Sequence, residues 1–373
     1  MPLLAKVLLF VLMAAGVGTS FAATFVYFGT NFVDPDAGIF VSELDPENGV
    51  LSAPRRVARM NQAAFLALHP DGRHLYSVGE RDVGILRAFA IDPATGSLAE
   101  INDQSSRGAG PCHISLDRAG RHAFVANYSA GSASVSAINL DGSLGDSTAC
   151  MIYGGSGPNA ARQERPHAHS ANLDPSQQFL IVADLGTDRL MVHRFRARDG
   201  SLEDNDPPFV TLAPGSGPRH FAFHPDGVHA YVVNELLSTV TAFDWDPAGG
   251  ILTARQTVNT LPAGFATKNT TAEIVVHPGG RFLYVSNRGH DSIAIFAVDP
   301  ATGLLRAIGH QPSGGKTPRN FAASPDGRWL IVANQASDNA VVLAVDSGNG
   351  TLKPTGSLVT VPTPTCVRFL VID

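Results

Sequence analysis

A turn of the form Asp-Pro-x-x-Gly-x-Leu, or a shortened version of it, recurs seven times, centred on Gly49, Gly96, Gly142, Gly200, Gly250, Gly303 and Gly350. Successive copies are 47, 46, 58, 50, 53 and 47 residues apart. Repeats of this period made of short strands build a ring of β-sheets, and the number of copies gives the number of blades. The chain therefore reads as an all-β, seven-bladed β-propeller, one domain over residues 23–373 with four antiparallel strands in each blade.

Residues 217–252 show how one repeat is built. Gly217-Pro218-Arg219-His220 opens an alternating strand that continues to His224 and turns at Pro225-Asp226-Gly227. Turn residues of this kind join the two strands of a hairpin. A second strand, His229 to Val233, ends at Asn234-Glu235, and a third runs from Ser238 to Trp245 into the recurrent turn, after which the fourth begins at Ile251. The first hairpin turn has six copies rather than seven. Pro364 to Ile372 reads as a first strand with nothing after it, and Thr24 to Thr30 as a second strand with nothing before it. Pairing them in one blade closes the ring and leaves no exposed sheet edge. No helical periodicity separates the strands, which excludes an α/β architecture.

Residues 1–22 read as a signal peptide: Lys6, an apolar stretch from Val7 to Val17, then Ser20-Phe21-Ala22 as a cleavage site. Export to the periplasm or beyond the cell is expected, with no membrane association once the leader is cut after Ala22. The uncleaved segment would be a short anchor. The net charge of −6 and the lack of a basic stripe exclude nucleic acid as a partner. Cys112, Cys150 and Cys366 make no disulfide framework, although two of them could pair in an exported protein.

In an up-and-down blade both recurrent turns lie on one face of the disc. The start of each first strand and the end of each second strand then meet on the opposite face, near the central channel. By register, the first position holds Ala64, Cys112, His169, Arg219, Ala272, Arg319 and Thr365 around the ring, and the second Glu80, Tyr128, Leu185, Glu235, Arg288, Gln335 and Asn31. The turns stay nearly constant while these columns vary in charge and size, as a site grafted on a symmetric scaffold does. Three consecutive blades supply His169, Arg219 with Glu235, and Arg288, which are the candidate catalytic residues. They combine an imidazole that shuttles protons, a carboxylate, and two guanidinium forks suited to an anionic substrate. The same Arg219, Glu235 and Arg288 could instead form a structural ion-pair network.

Other residues carry less. His69, His224 and His277 share one slot before the hairpin turn and read as structural. His167 and His169 have His-x-His spacing, and with His113 or His220 they could hold zinc, but no carboxylate or cysteine cluster completes a site. No metal is expected. Ser170 lacks the glycine elbow of a nucleophile.

The runs Arg165-Pro-His-Ala-His-Ser-Ala-Asn172, Gly217-Pro-Arg-His220 through Val233-Asn-Glu235, and Tyr284-Val-Ser-Asn-Arg288 resemble the seven-bladed propeller lactonases, over essentially the whole chain after residue 23. That family contains propeller-type 6-phosphogluconolactonase and the fungal 3-carboxy-cis,cis-muconate lactonizing enzyme. The resemblance implies an active-site histidine at His169, an arginine and glutamate at Arg219 and Glu235, a second arginine at Arg288, and work without a metal or cofactor. It implies hydrolysis of a small-molecule lactone, Glu235 or His169 acting as base and the other as proton donor, with Arg219 and Arg288 holding the anionic group and the developing oxyanion. The export signal argues against a cytoplasmic sugar phosphate and favours a sugar lactone or another anionic lactone. The alternatives are a carboxymuconate-type cycloisomerase and a non-catalytic binding or scaffold propeller of the periplasm.

Overall fold

The second and third strands of each repeat are rich in β-branched and aromatic residues, and they lie where a sheet is covered on both faces. In the computed structural model, which describes residues 23–79 and 84–372, the strand His122–Asn127 is buried at every position, whereas the outer strand Leu144–Ile152 alternates between half-buried and exposed. The sheets stand radially, and each packs its faces on its two neighbours. Six four-stranded antiparallel sheets begin at Ala63, Pro111, Ala168, Pro218, Thr270 and Pro318. The seventh joins the two ends of the chain: Pro364–Ile372 pairs antiparallel with Ala23–Thr30, which pairs with Gly38–Asp45. Its outer strand is broken into Val50–Leu51 and Arg55–Arg59, with Pro54 in the gap. A proline has no N–H to give to a ladder. Residues 1–22 and Glu80 lie outside the described residues, so the leader and one position of the second register column do too.

The seven recurrent glycines are required by the backbone. All have positive φ, from +66° at Gly49 to +81° at Gly142, a region that side chains other than glycine enter at a cost. They also sit on the neighbouring blade. A Cβ on Gly250 would lie 2.4 Å from the Phe179 ring, and one on Gly350 would lie 2.4 Å from Phe282. The same turns are tied by hydrogen bonds: Tyr27, Tyr76, Tyr231 and Tyr284 donate to the carbonyls of Gly96, Gly142, Gly303 and Gly350 in the next blade. His69, His224 and His277 do the same at the other turn, with Nε2 donating to the carbonyls of Gly120, Gly280 and Gly327. These three are structural staples. Gly250→Ala combines left-handed backbone with a clash and should lower unfolding free energy by about 1–3 kcal/mol. An unchanged urea midpoint would refute that account of the turn.

One irregularity repeats in every blade. At the start of the first strand, two residues oppose one on the second strand, a β-bulge: Ala64 and Phe65, Cys112 and His113, His169 and Ser170, Arg219 and His220, Ala272 and Glu273, Arg319 and Asn320, Thr365 and Cys366. A bulge breaks the strict alternation of side chains and re-aims one of them. The first member of each pair is the register position read from the sequence. The second members continue the lining deeper in the channel, where Phe65, His113, His220, Glu273 and Asn320 touch one another.

Candidate active site

A cavity of about 260 Å³ opens at the mouth of the channel, lined by Cys112, Tyr128, Arg162, His169, Glu235, Arg288 and Arg319, with Gly110 and Ser129 at its edge. The face is the one opposite the recurrent turns. Of the four candidate residues, His169, Glu235 and Arg288 line the cavity, and Arg219 lies directly behind Glu235. Cys112, Tyr128 and Arg319, which stand in the same two register columns, line it as well. Leu185, Gln335 and Asn31 from those columns do not.

Glu235 is the hub. Its carboxylate, 2% exposed, takes Arg162 Nη2 at 2.7 Å on Oε1, and on Oε2 it meets Arg288 Nη2 at 2.9 Å and Arg219 Nε at 3.0 Å. The Arg219 contact is an ion pair whose angle misses a hydrogen bond. The arginines are held from behind: Arg219 Nη1 donates to the Ala272 carbonyl at 2.6 Å, and Arg288 Nη2 to the Thr271 carbonyl at 2.7 Å. The ion-pair network, the alternative reading of these residues, is therefore present, and it forms the wall of a cavity. Burial pushes the Glu235 carboxyl upward, but Arg288, Arg219 and Arg162 outweigh it and bring it down to about 2. Burial, then Arg288 and Arg319, lowers Arg219 to about 9, which leaves it cationic at neutral pH. Four guanidinium groups thus stand against one carboxylate around this hollow. Unpaired charge in a low-dielectric site is costly, so such a hollow favours an anionic guest.

Arg162 was invisible to the register. It rides on the connection between the second and third blades, whose extra length shows in the sequence as the 58-residue gap, the longest of the six. Buried Gln163 pins that connection, donating from Nε2 to the Leu185 carbonyl at 2.8 Å and to Asp188 Oδ1 at 2.7 Å. Arg162 then reaches Glu235 and also lies 3.4 Å from the Tyr128 hydroxyl.

His169 is 5% exposed, with Nδ1 3.8 Å from Cys112 Sγ and its ring edge-on to Tyr128 and to His220. Burial first, then Arg219, His220 and Arg319, holds its pKa well below the usual 6.5, so the ring is neutral. His167, two residues away, goes elsewhere: it stacks on Tyr128, faces the Tyr128 carbonyl through Nδ1 at 3.1 Å, and faces Glu164 through Nε2 at 3.2 Å. Among the described residues, histidine and aspartate ligand atoms converge at His69–Asp71–His74 and His224–Asp226–His229. Both groups belong to hairpin turns on the far face, with His69 and His224 engaged as staples.

The mouth of this propeller thus gathers a neutral imidazole, a pinned carboxylate and an excess of guanidinium groups in one hollow, as a small-molecule site on a propeller scaffold does. The family is shown by comparison: residues 25–369 match the model of the seven-bladed β-propeller lactonases, and the chain belongs to that family. The chain is 36% identical to a 6-phosphogluconolactonase of Bacillus subtilis over 345 residues, 92% of this chain and 97% of that protein. A 6-phosphogluconolactonase of Formosa agariphila is 35% identical over 77% of this chain and 82% of its own. Among solved structures, the periplasmic gluconolactonase of Pseudomonas aeruginosa superposes with a TM-score of 0.88 at 35% identity, covering 94% of this chain and all of that one.

Proposed function

We propose that this protein hydrolyses a lactone carrying an anionic group, in the manner of the 6-phosphogluconolactonases, without a metal. The observation that carries the reading is the placement of neutral His169 in one cavity with Glu235 and its arginines. His169 serves as the base. It takes a proton from water as the water oxygen attacks the lactone carbonyl carbon. The ring C–O bond then breaks, and the imidazolium returns the proton to the ring oxygen. Glu235, pinned to about 2 by its arginines, is a feeble base and serves to hold them in place. Arg288, with Arg162 and Arg319 beside it in the lining, faces the anionic group and the developing oxyanion, while Arg219 braces Glu235 from behind; preorganised donors of this kind contribute on the order of 10²–10³ in rate.

Sugar lactones and other acid lactones of this charge fit the site equally, and a phosphate fits the surplus of cations. The apolar leader of residues 1–22 and the periplasmic relative both favour an exported enzyme, in which the leader is removed and residues 23–373 act as one domain. A pH-stat screen of gluconolactone, its 6-phosphate and muconate-type lactones tests the activity. The wild type should open at least one of them, and His169→Ala should lower kcat about 10²–10⁴-fold. Equal turnover in both proteins would refute the role of His169, and ring closure of a muconate without lactone opening would point instead to the cycloisomerase.

A further inference from the structure

Beneath His169 the second members of the bulged pairs form a buried polar cluster that the hydrolytic steps above leave unused. Glu273 lies at its centre, 7% exposed. Its Oε1 accepts from its neighbour's backbone, Ile274 N–H, at 3.0 Å. Its Oε2 accepts from Asn320 Nδ2. Asn320 cannot be turned the other way, because its Oδ1 accepts from Val367 N–H at 2.8 Å. Both oxygens of Glu273 accept, and with the carboxyl ionised Nδ1 of His220, 2.9 Å from Oε1, is the donor. That assigns the His220 tautomer: the proton is on Nδ1 and Nε2 carries a bare lone pair. Nε2 is buried and finds no partner among the described residues. A buried acceptor left unsatisfied costs roughly 1–3 kcal/mol and calls for an explanation.

The ring that carries this lone pair lies edge-on to His169, with centroids 5.3 Å apart. From Glu273 through His220 to His169, a carboxylate, an oriented imidazole and the candidate base follow one another toward the cavity. The same logic, in which a carboxylate fixes an imidazole that supports the reacting group, recurs in catalytic triads. We propose that His220, oriented by Glu273, is a positioning residue for His169: as one nitrogen of His169 takes a proton from the attacking water, the proton on its other nitrogen is shared through one water with Nε2 of His220. When the C–O bond breaks, His169 gives the proton taken from water to the ring oxygen and the shared proton returns to its other nitrogen, so no net charge remains in the channel. This inference rests on the lactonase reading for its kinetics and on the hydrogen-bond pattern alone for its tautomer.

Charge explains why such support is needed. Arg219 and Arg319 oppose a positive charge on His169. The groups that act on His220 are Arg219, Arg368 and Arg319 on the cationic side and Glu235 on the anionic side, together with Glu273 on its Nδ1 and the rings of His113, His169 and Phe65 beside it. Glu273 is the carboxylate nearest at hand to balance an imidazolium on the side away from the cavity. Burial pushes its own proton affinity up, against Arg368 and Arg219.

Two measurements on the full protein test this. Nitrogen-15 NMR of the histidine rings at neutral pH should show His220 with Nδ1 protonated and Nε2 bare, and Glu273→Gln should redistribute that tautomer. Finding His220 protonated on Nε2 in the wild type would overturn the assignment. With a lactone that the wild type opens, His220→Gln and Glu273→Gln should each lower kcat about 10- to 100-fold with KM changed less than about twofold. The double variant should fall no further than either one, since residues acting as a unit are not additive. Glu273→Asp should recover part of the loss. Unchanged kcat in both single variants, or losses that match a fall in Tm and spread equally over KM, would sink the relay. Wild-type silence on every lactone removes the lactonase reading and leaves the NMR result to decide the tautomer.

Discussion

Glu235→Gln should abolish most lactone turnover, by about 10²–10³-fold in kcat, while KM for an anionic lactone stays level or falls. The substitution keeps the shape of the side chain and removes the one carboxylate that Arg162, Arg219 and Arg288 share. Three guanidinium groups then repel one another without an anion between them. The oxyanion donors lose their fixed directions, and the hollow becomes more positive, which favours binding over turnover. Stability responds too. The folded pKa of Glu235 is depressed from 4.5 to about 2, so its contribution is complete above 4.5 and is lost as pH falls toward 2. By linkage that contribution is on the order of 3 kcal/mol. Steady-state kinetics with a sugar lactone check the first effect, and urea titration at neutral pH checks the second. Full activity in Glu235→Gln would mean that the pinned carboxylate organises nothing the reaction needs.

Mild acid should unfold the protein steeply. His113, His169 and His220 are buried as neutral rings in one channel, and each has its pKa held well below 6.5, by burial foremost. For His113 the next causes are His220 and Arg368, and for His220 they are Arg219 and Arg368. The unfolded chain takes up a proton at each of these histidines as pH drops through 6.5, and the folded one does not. Stability is therefore complete above 6.5 and falls below it until the folded values are reached. Each ring costs about 1.4 kcal/mol per pH unit, and three together give a slope of roughly 4 kcal/mol per pH unit. Urea midpoints followed by tryptophan fluorescence at pH 7.5 and pH 5.5 measure this, and equal midpoints would show that the rings are protonated in the fold. Activity should disappear together with the fold rather than at a separate break near 6.5.

The architecture was legible because its signals are local. A glycine that must adopt positive φ marks each turn whatever surrounds it, so Gly49 to Gly350 counted the blades and the two unmatched terminal strands predicted closure. Register then led to the cavity, because residues at one offset from a turn occupy one height in the disc. Arg162 escaped because it lies on an irregular connection that no repeat offset reaches. The inner ring escaped for another reason. Strict alternation puts His220 on the face opposite Arg219, and only the bulge between Pro218 and Phe221 turns both toward the axis. A bulge is a mismatch between two strands, and neither strand announces it alone.

The circle of sheets is fastened by its own extremities, and the two halves of the clasp are unequal. The innermost stave of the seventh sheet, Pro364–Ile372, is synthesised after all six other sheets, and the stave beside it, Ala23–Thr30, before any of them. Six sheets can be complete while the barrel still gapes, with the wall missing where Thr365, Cys366 and Arg368 will face Ala64, Leu66 and Phe65. A chain without Pro364–Ile372 would thus lose one of the seven inner strands, and with it the backing against which the mouth is braced.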